Sequence, residues 1–406
     1  MRTLRFAALA AALLVGVVLP RAELLAQGRF PQIEYDFISS GLECGVPCDE
    51  TVALDHNDLA ISQAADLVRP QTVKMFHHTP DLGWTQVATL TAPEPCLAPQ
   101  QEPCGDRMFG ESLAMSRSHV FVSGDATGVR PSLVYVFREV DGVWQHRQTL
   151  VLGNGSGYVR AMAAYEHLLV VAAGNTVYVY RRLQDGMYHF EAQLNSPVPE
   201  SDSFGSAVAT APGIIVVGAN GEDDGRGAAY VFNRAGRKWP LQHRLVPPRS
   251  RPGAQSFGTA VAVSATALVV GAPDFLRKPP RRNGLVYVFT HSGVGPTRWR
   301  LSQTMTDPYV PAPTFFRGDF GATLAIEKDK LVVGATSGYR VIDPLPRAFL
   351  ARQQGPKFAY IAEFKSGSVG DIQLSHGKVA ISSPAIRYGA VTTAYTLPWF
   401  SADAPQ

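Results

Sequence analysis

An aromatic residue followed six positions later by an apolar residue is the feature that most constrains the fold of this chain. The pattern recurs along most of the sequence, always within a short run of strand-forming residues. Its six occurrences are GWTQVATL (83–90), VWQHRQTL (143–150), MYHFEAQL (187–194), KWPLQHRL (238–245), RWRLSQTM (298–305) and KFAYIAEF (357–364). Such recurrence predicts a repeated structural unit.

Three further strand-like runs precede most of these segments. The nearest is rich in β-branched and aromatic residues with period-two alternation, as in LVYVFRE (133–139). Before it lies a continuous apolar run closed by small residues, as in IIVVGAN (214–220), which is typical of a strand buried on both faces. The earliest run consists of small residues and opens with Phe-Gly in four units: Phe109-Gly110, Phe204-Gly205, Phe257-Gly258 and Phe320-Gly321.

Four strands in roughly 45 to 60 residues match the size of a propeller blade. The sequence therefore predicts an all-β, seven-bladed β-propeller of four-stranded antiparallel blades, spanning residues 33–400. Its units begin near residues 52, 109, 158, 204, 257, 320 and 369. The last unit has three strands, and IEYDFIS (33–39) has no unit of its own. Because an open ring leaves two sheet edges unpaired, we expect this N-terminal strand to close the last blade.

The first 26 residues are expected to be a secretory signal peptide. Arg2 and Arg5 precede an apolar run over residues 6–19, with cleavage after Ala26 or Ala22. The alternative is that this segment is retained as a membrane anchor. No later stretch of the sequence is apolar for long enough to be a transmembrane segment, so we expect a secreted or cell-surface protein.

The net charge excludes one class of partner. It is +3 for the whole chain and falls to +1 once residues 1–26 are removed. A nearly neutral protein has no overall electrostatic attraction for nucleic acid or for an acidic membrane. An extracellular protein or glycan is the expected partner.

All four cysteines lie within the first 104 residues of the chain. An even number in an exported protein predicts disulfides, and two short bridges are the simplest of three pairings. Those bridges would join Cys44 to Cys48 and Cys96 to Cys104. Asn154 begins an Asn-Gly-Ser sequon and is a glycosylation candidate.

The combination of Phe-Gly, Val-Gly-Ala and Tyr-Val-Phe resembles the FG-GAP repeat of integrin α-chain propellers. Residues 257–305 resemble it best, and 204–245 nearly as well. The resemblance implies extracellular recognition, often adhesion, through loops on one face. Integrin-type repeats often carry an aspartate-rich calcium loop between the first two strands, whereas AVSATALVV and AIEKDKLVV leave no room for one. Integrin function therefore does not transfer to this chain.

A basic cluster is the candidate ligand-binding site. Loops that join the second and third strands lie on the same face of a propeller as the loops between blades. Such basic side chains could bind a sulfated glycan or an acidic protein, or could simply form a solvated loop. The candidates are Arg249, Arg251, Arg277, Lys278, Arg281 and Arg282.

One acidic segment is a weak calcium candidate. Asn220, Glu222 and Asp224 alternate in ANGEDDGRG, as at the start of a calcium loop. The ninth position is Ala228, however, and no glutamate closes the loop, so a solvated acidic turn is the alternative. No other metal and no cofactor is expected.

Catalytic motifs are absent from the sequence, and we expect no enzymatic activity. It contains no G-x-S-x-G, H-E-x-x-H, P-loop or dinucleotide fingerprint. His77 and His78 are adjacent on a strand and point to opposite faces. The alternative is a hydrolase or lyase that acts on an extracellular glycan in the central funnel. Its candidate residues near the first strands are scattered: Asp55, His56, Asp319 and Asp371.

Overall fold

The structure is a computed structural model, and it describes fourteen stretches of the chain. Within them, every regular element is a β-strand except one single-turn helix, α1, at Glu222–Gly225. No helix in these stretches is long and apolar enough to cross a membrane. The stretches are 35–39, 51–63, 71–93, 108–124, 132–153, 158–198, 203–249, 256–273, 284–291, 298–308, 318–337, 348–364, 369–383 and 391–397.

The first four blades follow one another along the chain after an initial strand, β1, at Tyr35–Ser39. Blade 1 comprises β2 Val52–Asp55, β3 Asp58–Gln63, β4 Thr72–Thr79 and β5 Gly83–Leu90. Blade 2 comprises β6 Leu113–Ser116, β7 His119–Gly124, β8 Leu133–Val140 and β9 Val143–Val151. Blade 3 comprises β10 Val159–Tyr165, β11 Leu168–Ala173, β12 Thr176–Arg182 and β13 Tyr188–Asn195. Blade 4 comprises β14 Phe204–Ala211, β15 Ile214–Ala219, β16 Ala228–Asn233 and β17 Leu241–Leu245.

The last three blades continue the same order. Blade 5 comprises β18 Ala260–Val263, β19 Ala267–Ala272, β20 Leu285–His291 and β21 Trp299–Thr306. Blade 6 comprises β22 Gly318–Glu327, β23 Lys330–Ser337, β24 Ala348–Gln354 and β25 Lys357–Phe364. Blade 7 contains three consecutive strands, β26 Ile372–Ser375, β27 Lys378–Ser383 and β28 Val391–Thr396.

The strand pairing is that of a propeller. Each of blades 1 to 6 is an antiparallel sheet of four consecutive strands, and the predicted all-β, seven-bladed architecture is confirmed. In blade 7, β1 lies beside β28 in antiparallel register, with Phe37 opposite Thr393.

The core lies between neighbouring blades. Continuous apolar strands such as β15 and β19 are buried along their whole length, because both faces of each sheet are covered. One cluster joins Val216 and Val231 of blade 4 to Val270 and Tyr287 of blade 5. Each blade thus buries its apolar side chains only by stacking on the next one.

The Phe-Gly pair has a specific place in this packing. Phe257 is fully buried, and Gly258 has a φ of +95°, which a residue with a side chain rarely adopts. In blades 2 and 5 the pair precedes the regular first strand. In blade 4 it opens that strand, and in blade 6 it follows the first two residues of β22; the register shifts after Phe204 and Phe320. The expectation that Phe-Gly opens the strand holds in only part of the repeats.

The glycine of the second strand allows a close contact between blades. A Cβ on Gly218 would lie 2.0 Å from the carbonyl oxygen of Gly258, and a Cβ on Gly271 would lie 1.9 Å from that of Gly321. Where serine replaces this glycine, its hydroxyl accepts a hydrogen bond from the backbone at or just before the first strand. The three bonds are Thr51 N to Ser62 Oγ, Ser112 N to Ser123 Oγ and Asp371 N to Ser382 Oγ.

Candidate functional site at one mouth of the central channel

The two faces of the propeller differ in the length of their connections. The first and second strands are joined by two residues in six blades and by three in blade 5. We call this side the turn face. Connections between the second and third strands reach twelve residues, at 273–284. They share the opposite side, the loop face, with the connections between blades.

The inner strands surround a central channel of about 1230 Å³ that is lined by the ends of these strands and the turns that follow them. Around the ring, a charged residue or a histidine opens the turn in five adjacent blades, 6, 7, 1, 2 and 3, whereas blade 4 presents Pro212 and blade 5 presents Ser264, Ala265 and Thr266. Each of these five residues has a positive φ, as tight hairpins require. They are Lys328, His376, His56, Arg117 and Glu166.

Two histidines meet where blade 7 adjoins blade 1. The rings of His56 and His376 stack with centroids 3.4 Å apart and planes 21° from parallel. His56 Nδ1 lies 2.9 Å from Asp55 Oδ1. One ligand-type atom from each of Asp55, His56 and His376 lies within 4.8 Å of the other two, and no other such group of three occurs in the described stretches.

Hydrogen bonds hold this cluster across the seam between the blades. The backbone N–H of His56 donates to Ser375 Oγ at 3.1 Å, and the Ser375 hydroxyl donates to Asp55 Oδ1 at 3.3 Å. The backbone N–H of Arg117 donates to Asp55 Oδ2 at 2.7 Å. Ser375 Oγ also lies 2.9 Å from His376 Nδ1. The Asp55 carboxylate is therefore held by residues of three blades: His56 of its own blade, Arg117 of blade 2 and Ser375 of blade 7.

The surroundings of His376 favour the neutral form of its ring. The pKa of His376 is lowered, mainly by partial burial and then by the neighbouring His56. Glu327 Oε1 lies 3.7 Å from His376 Nδ1. The Arg117 guanidinium is engaged by Glu166 at 3.3 Å, which leaves two carboxylates, Asp55 and Glu327, closest to the rings.

The candidates of the funnel hypothesis separate into two groups. Asp55 and His56 lie at the turn face, beside His376. Asp371 precedes β26 at its opposite end, where it accepts the N–H groups of Val52 and Ile372, and burial raises its pKa to about 6. Asp319 lies at the start of β22, also away from the turn.

The adjacent histidines of blade 1 serve separate contacts. His77 Nδ1 lies 2.7 Å from Asp58 Oδ1, and the ring of His78 packs edge-on against Trp84 with centroids 5.1 Å apart. Their side chains do not converge on one site.

The acidic segment of blade 4 is organised around a buried ion pair. Glu222 is 5% exposed, and its carboxylate accepts bonds from the Tyr230 hydroxyl at 2.5 Å and from Arg244 Nε at 2.8 Å. Burial, and then the bond to Glu222, raises the pKa of Tyr230 to about 12. The Asn220 amide donates to Thr259 Oγ1, and Asp224 is exposed. Both carboxylate oxygens of Glu222 thus accept hydrogen bonds from protein donors, and the calcium site stays a prediction.

Most of the other candidates lie outside the described stretches. Arg249 is described and is exposed on the loop face. The signal segment 1–26 is outside, as are the following residues: Arg251, Arg277, Lys278, Arg281, Arg282, Cys44, Cys48, Cys96, Cys104 and Asn154.

Sequence reasoning missed His376 and Ser375. No short motif contains them, and they are about 320 positions from Asp55 and His56 along the chain. Alignment of the repeats could have found this pair, because His56 and His376 occupy the same turn position in the first and last blades. Blades that are first and last in sequence become neighbours once the ring forms.

Comparisons with known proteins agree with the geometry. Residues 196–232 match the family model described as FG-GAP repeat. The matched segment contains β14, β15 and all of β16 except its last residue. No curated protein sequence matches the chain.

Solved structures resemble the chain in fold alone. A chain of the mitotic checkpoint complex is 11% identical, with a TM-score of 0.56 and coverage of 91% of this chain and 94% of that one. Sqt1 from Saccharomyces cerevisiae is 10% identical, with a TM-score of 0.50 and coverage of 91% and 99%. A protein from Lactobacillus plantarum is 11% identical, with a TM-score of 0.52 and coverage of 80% and 92%.

Proposed function

We propose that this seven-bladed propeller, which carries an FG-GAP repeat, is a non-catalytic recognition protein that binds an extracellular protein or glycan through its loop face. The observation that carries the proposal is the asymmetry of the two faces. Short turns, all but one of two residues, occupy one face of the ring, and the long connections between second and third strands lie on the other. Variable loops on a rigid scaffold are a common arrangement for binding sites.

The proposed place of action is outside the cytoplasm, either in the medium or at the cell surface. The apolar segment at the start of the chain supports this proposal, as does the FG-GAP repeat. The basic residues of segment 273–284, together with Arg249 and Arg251, favour an acidic ligand.

Binding to an array of sulfated glycans and acidic peptides tests the proposal. The informative variant replaces Arg277, Lys278, Arg281 and Arg282 with serine. The matched control replaces four exposed basic residues of the turn face with serine: Arg117, Arg237, Lys328 and Lys357. Both variants lose four positive charges. A difference in their ligand binding therefore reflects the position of the replaced residues and not the overall charge.

We expect the loop-face variant to lose binding by tenfold or more, about 1.4 kcal/mol, while the control retains it. Equal losses in both variants would mean that overall charge, not a site, is responsible. Binding that survives in the loop-face variant would place the ligand elsewhere.

The alternative function, a hydrolase or lyase in the central funnel, is favoured by one observation. Asp55 lies 2.9 Å from a histidine at the mouth of the channel, as a general base and its orienting carboxylate would. Turnover of model glycosides or polysaccharides by the wild type, and its loss in His56→Gln, would replace the recognition proposal with this one.

We also propose that β1 closes the ring as the outer strand of blade 7. Its register with β28 supports this, because Phe37 lies opposite Thr393 and Ile38 opposite Thr392. Paired positions on adjacent antiparallel strands have the Cα separation that a disulfide needs.

A cysteine pair at positions 37 and 393 is expected to form an intramolecular disulfide under mild oxidation, detectable by peptide mass spectrometry. The control pair at 37 and 391 is out of register by two residues and should cross-link far less. Equal yields from both pairs would contradict the closure.

A further inference from the structure

The turn face carries a feature that the recognition proposal does not use, the seam cluster of Asp55, His56 and His376. Imidazole nitrogen and carboxylate oxygen are ordinary ligands of zinc and related divalent metals. We propose that these three side chains bind a zinc-type divalent transition metal across the junction of the first and last blades.

The spacing of the three groups fits one shared ion after small side-chain rotations. Ligands of a tetrahedral zinc ion, each about 2.0–2.2 Å from it, lie about 3.3–3.6 Å from one another. His56 Nδ1 and Asp55 Oδ1 are 2.9 Å apart, and all three ligand atoms lie within 4.8 Å of one another. The side chains of His56 and His376 are 58% and 47% exposed, so their rings have room to turn.

The carboxylate is already fixed, whereas the imidazoles are adjustable. Asp55 is 18% exposed at its side chain, and it accepts the Arg117 N–H and the Ser375 hydroxyl. Supporting hydrogen bonds of this kind orient metal ligands. Three protein ligands leave a fourth position for water or an external ligand, and the central channel opens beside it.

The charges around the cluster favour a cation. Glu327 lies 3.7 Å from His376 Nδ1, and Asp55 carries a second carboxylate. Two cations also face this mouth: Arg117, whose guanidinium is paired with Glu166, and Lys328, which acts on His376 from blade 6. The stacked rings, with centroids 3.4 Å apart, place both imidazoles next to the Asp55 carboxylate.

The ion would join residues from the two ends of the repeat array. Asp55 and His56 follow β2 of blade 1, and His376 follows β26 of blade 7. Because the metal would bind only the closed ring, its presence should raise the temperature of unfolding. This site lies on the face opposite the proposed ligand loops, so the two proposals can fail independently.

Isothermal titration of untagged protein with zinc chloride tests the site, after iodoacetamide treatment to block any free thiol. We expect one saturable zinc per chain and a higher unfolding temperature with zinc. His56→Gln and His376→Gln should each weaken affinity about tenfold or more and abolish that thermal shift. His77→Gln is the matched control, because His77 also pairs with an aspartate, Asp58, but belongs to no group of three ligand-type side chains in the described part of the chain.

The absorption spectrum of the protein with bound cobalt gives a second measurement, which reports the type of the metal ligands and not the strength of binding. Histidine and carboxylate ligation should produce visible absorption bands without an intense near-ultraviolet band from thiolate. The absence of stoichiometric zinc binding by the wild type would overturn the proposal, as would unchanged affinity in both histidine variants. A thiolate band, or an equal loss of affinity in His77→Gln, would place the metal elsewhere.

Discussion

Replacing Phe257 with alanine is expected to lower the free energy of unfolding by about 3–5 kcal/mol, the range for removing a buried phenylalanine. Phe257 is fully buried, and its ring contacts Tyr287 with centroids 5.3 Å apart and Phe289 with centroids 6.3 Å apart. It belongs to the cluster that joins blade 4 to blade 5. The cavity would therefore open between two blades, and neither sheet could fill it without shifting against the other.

Urea unfolding followed by tryptophan fluorescence measures this loss. Phe190→Ala is the matched control, because Phe190 is 54% exposed and makes an edge contact with Tyr180. Its replacement should cost less than about 1 kcal/mol. If both variants unfold at the same urea concentration, the Phe-Gly aromatic is not the element that joins the blades.

Replacing Gly271 with alanine is expected to cost roughly 2–4 kcal/mol, although it adds only one methyl group. That Cβ would lie 1.9 Å from the carbonyl oxygen of Gly321 in the next blade, far inside van der Waals contact. The neighbouring atom is backbone, so relief requires two packed sheets to move apart. The expected result is a lower unfolding temperature and a lower urea midpoint.

Gly142→Ala separates this clash from the ordinary cost of replacing glycine. Gly142 has a φ of +79°, and a Cβ there would meet nothing within 4 Å. Only the backbone strain of about 1–2 kcal/mol applies to it. A smaller loss for Gly271→Ala than for Gly142→Ala would contradict the close approach between blades.

These two residues show why the sequence predicted the blades so well. Phe257 and Gly271 act between neighbouring units, and the same contact recurs in the repeat, with Gly218 against Gly258 as another instance. Because the same contact forms between successive repeats, the residues that make it recur at the same positions of the sequence repeat. The predicted outer strands therefore match β5, β9, β13, β17, β21 and β25 closely, with differences of one residue at either end and of three residues at the start of β17.

The candidate sites were less accessible to sequence reasoning. The alternation of Asn220, Glu222 and Asp224 predicts a weak calcium site or, as the alternative, a solvated acidic turn. In the structure the Glu222 side chain is buried against Tyr230 and Arg244, which lie on the third and fourth strands of the same blade, 8 and 22 positions further along the chain. Whether one side chain of an acidic turn is buried depends on the residues of the neighbouring strands, here β16 and β17. The sequence of the turn itself does not predict it.

The sequence by itself determined the strand content, the number of blades and the order of strands, since each depends on alternation and spacing within about 50 residues. Only the tertiary structure decided which side chains meet at the turn face. Asp55 and His376 become neighbours because the first and last blades pack side by side. That contact forms only when the rotations between successive blades add up to a closed ring, and this sum depends on all seven blades together.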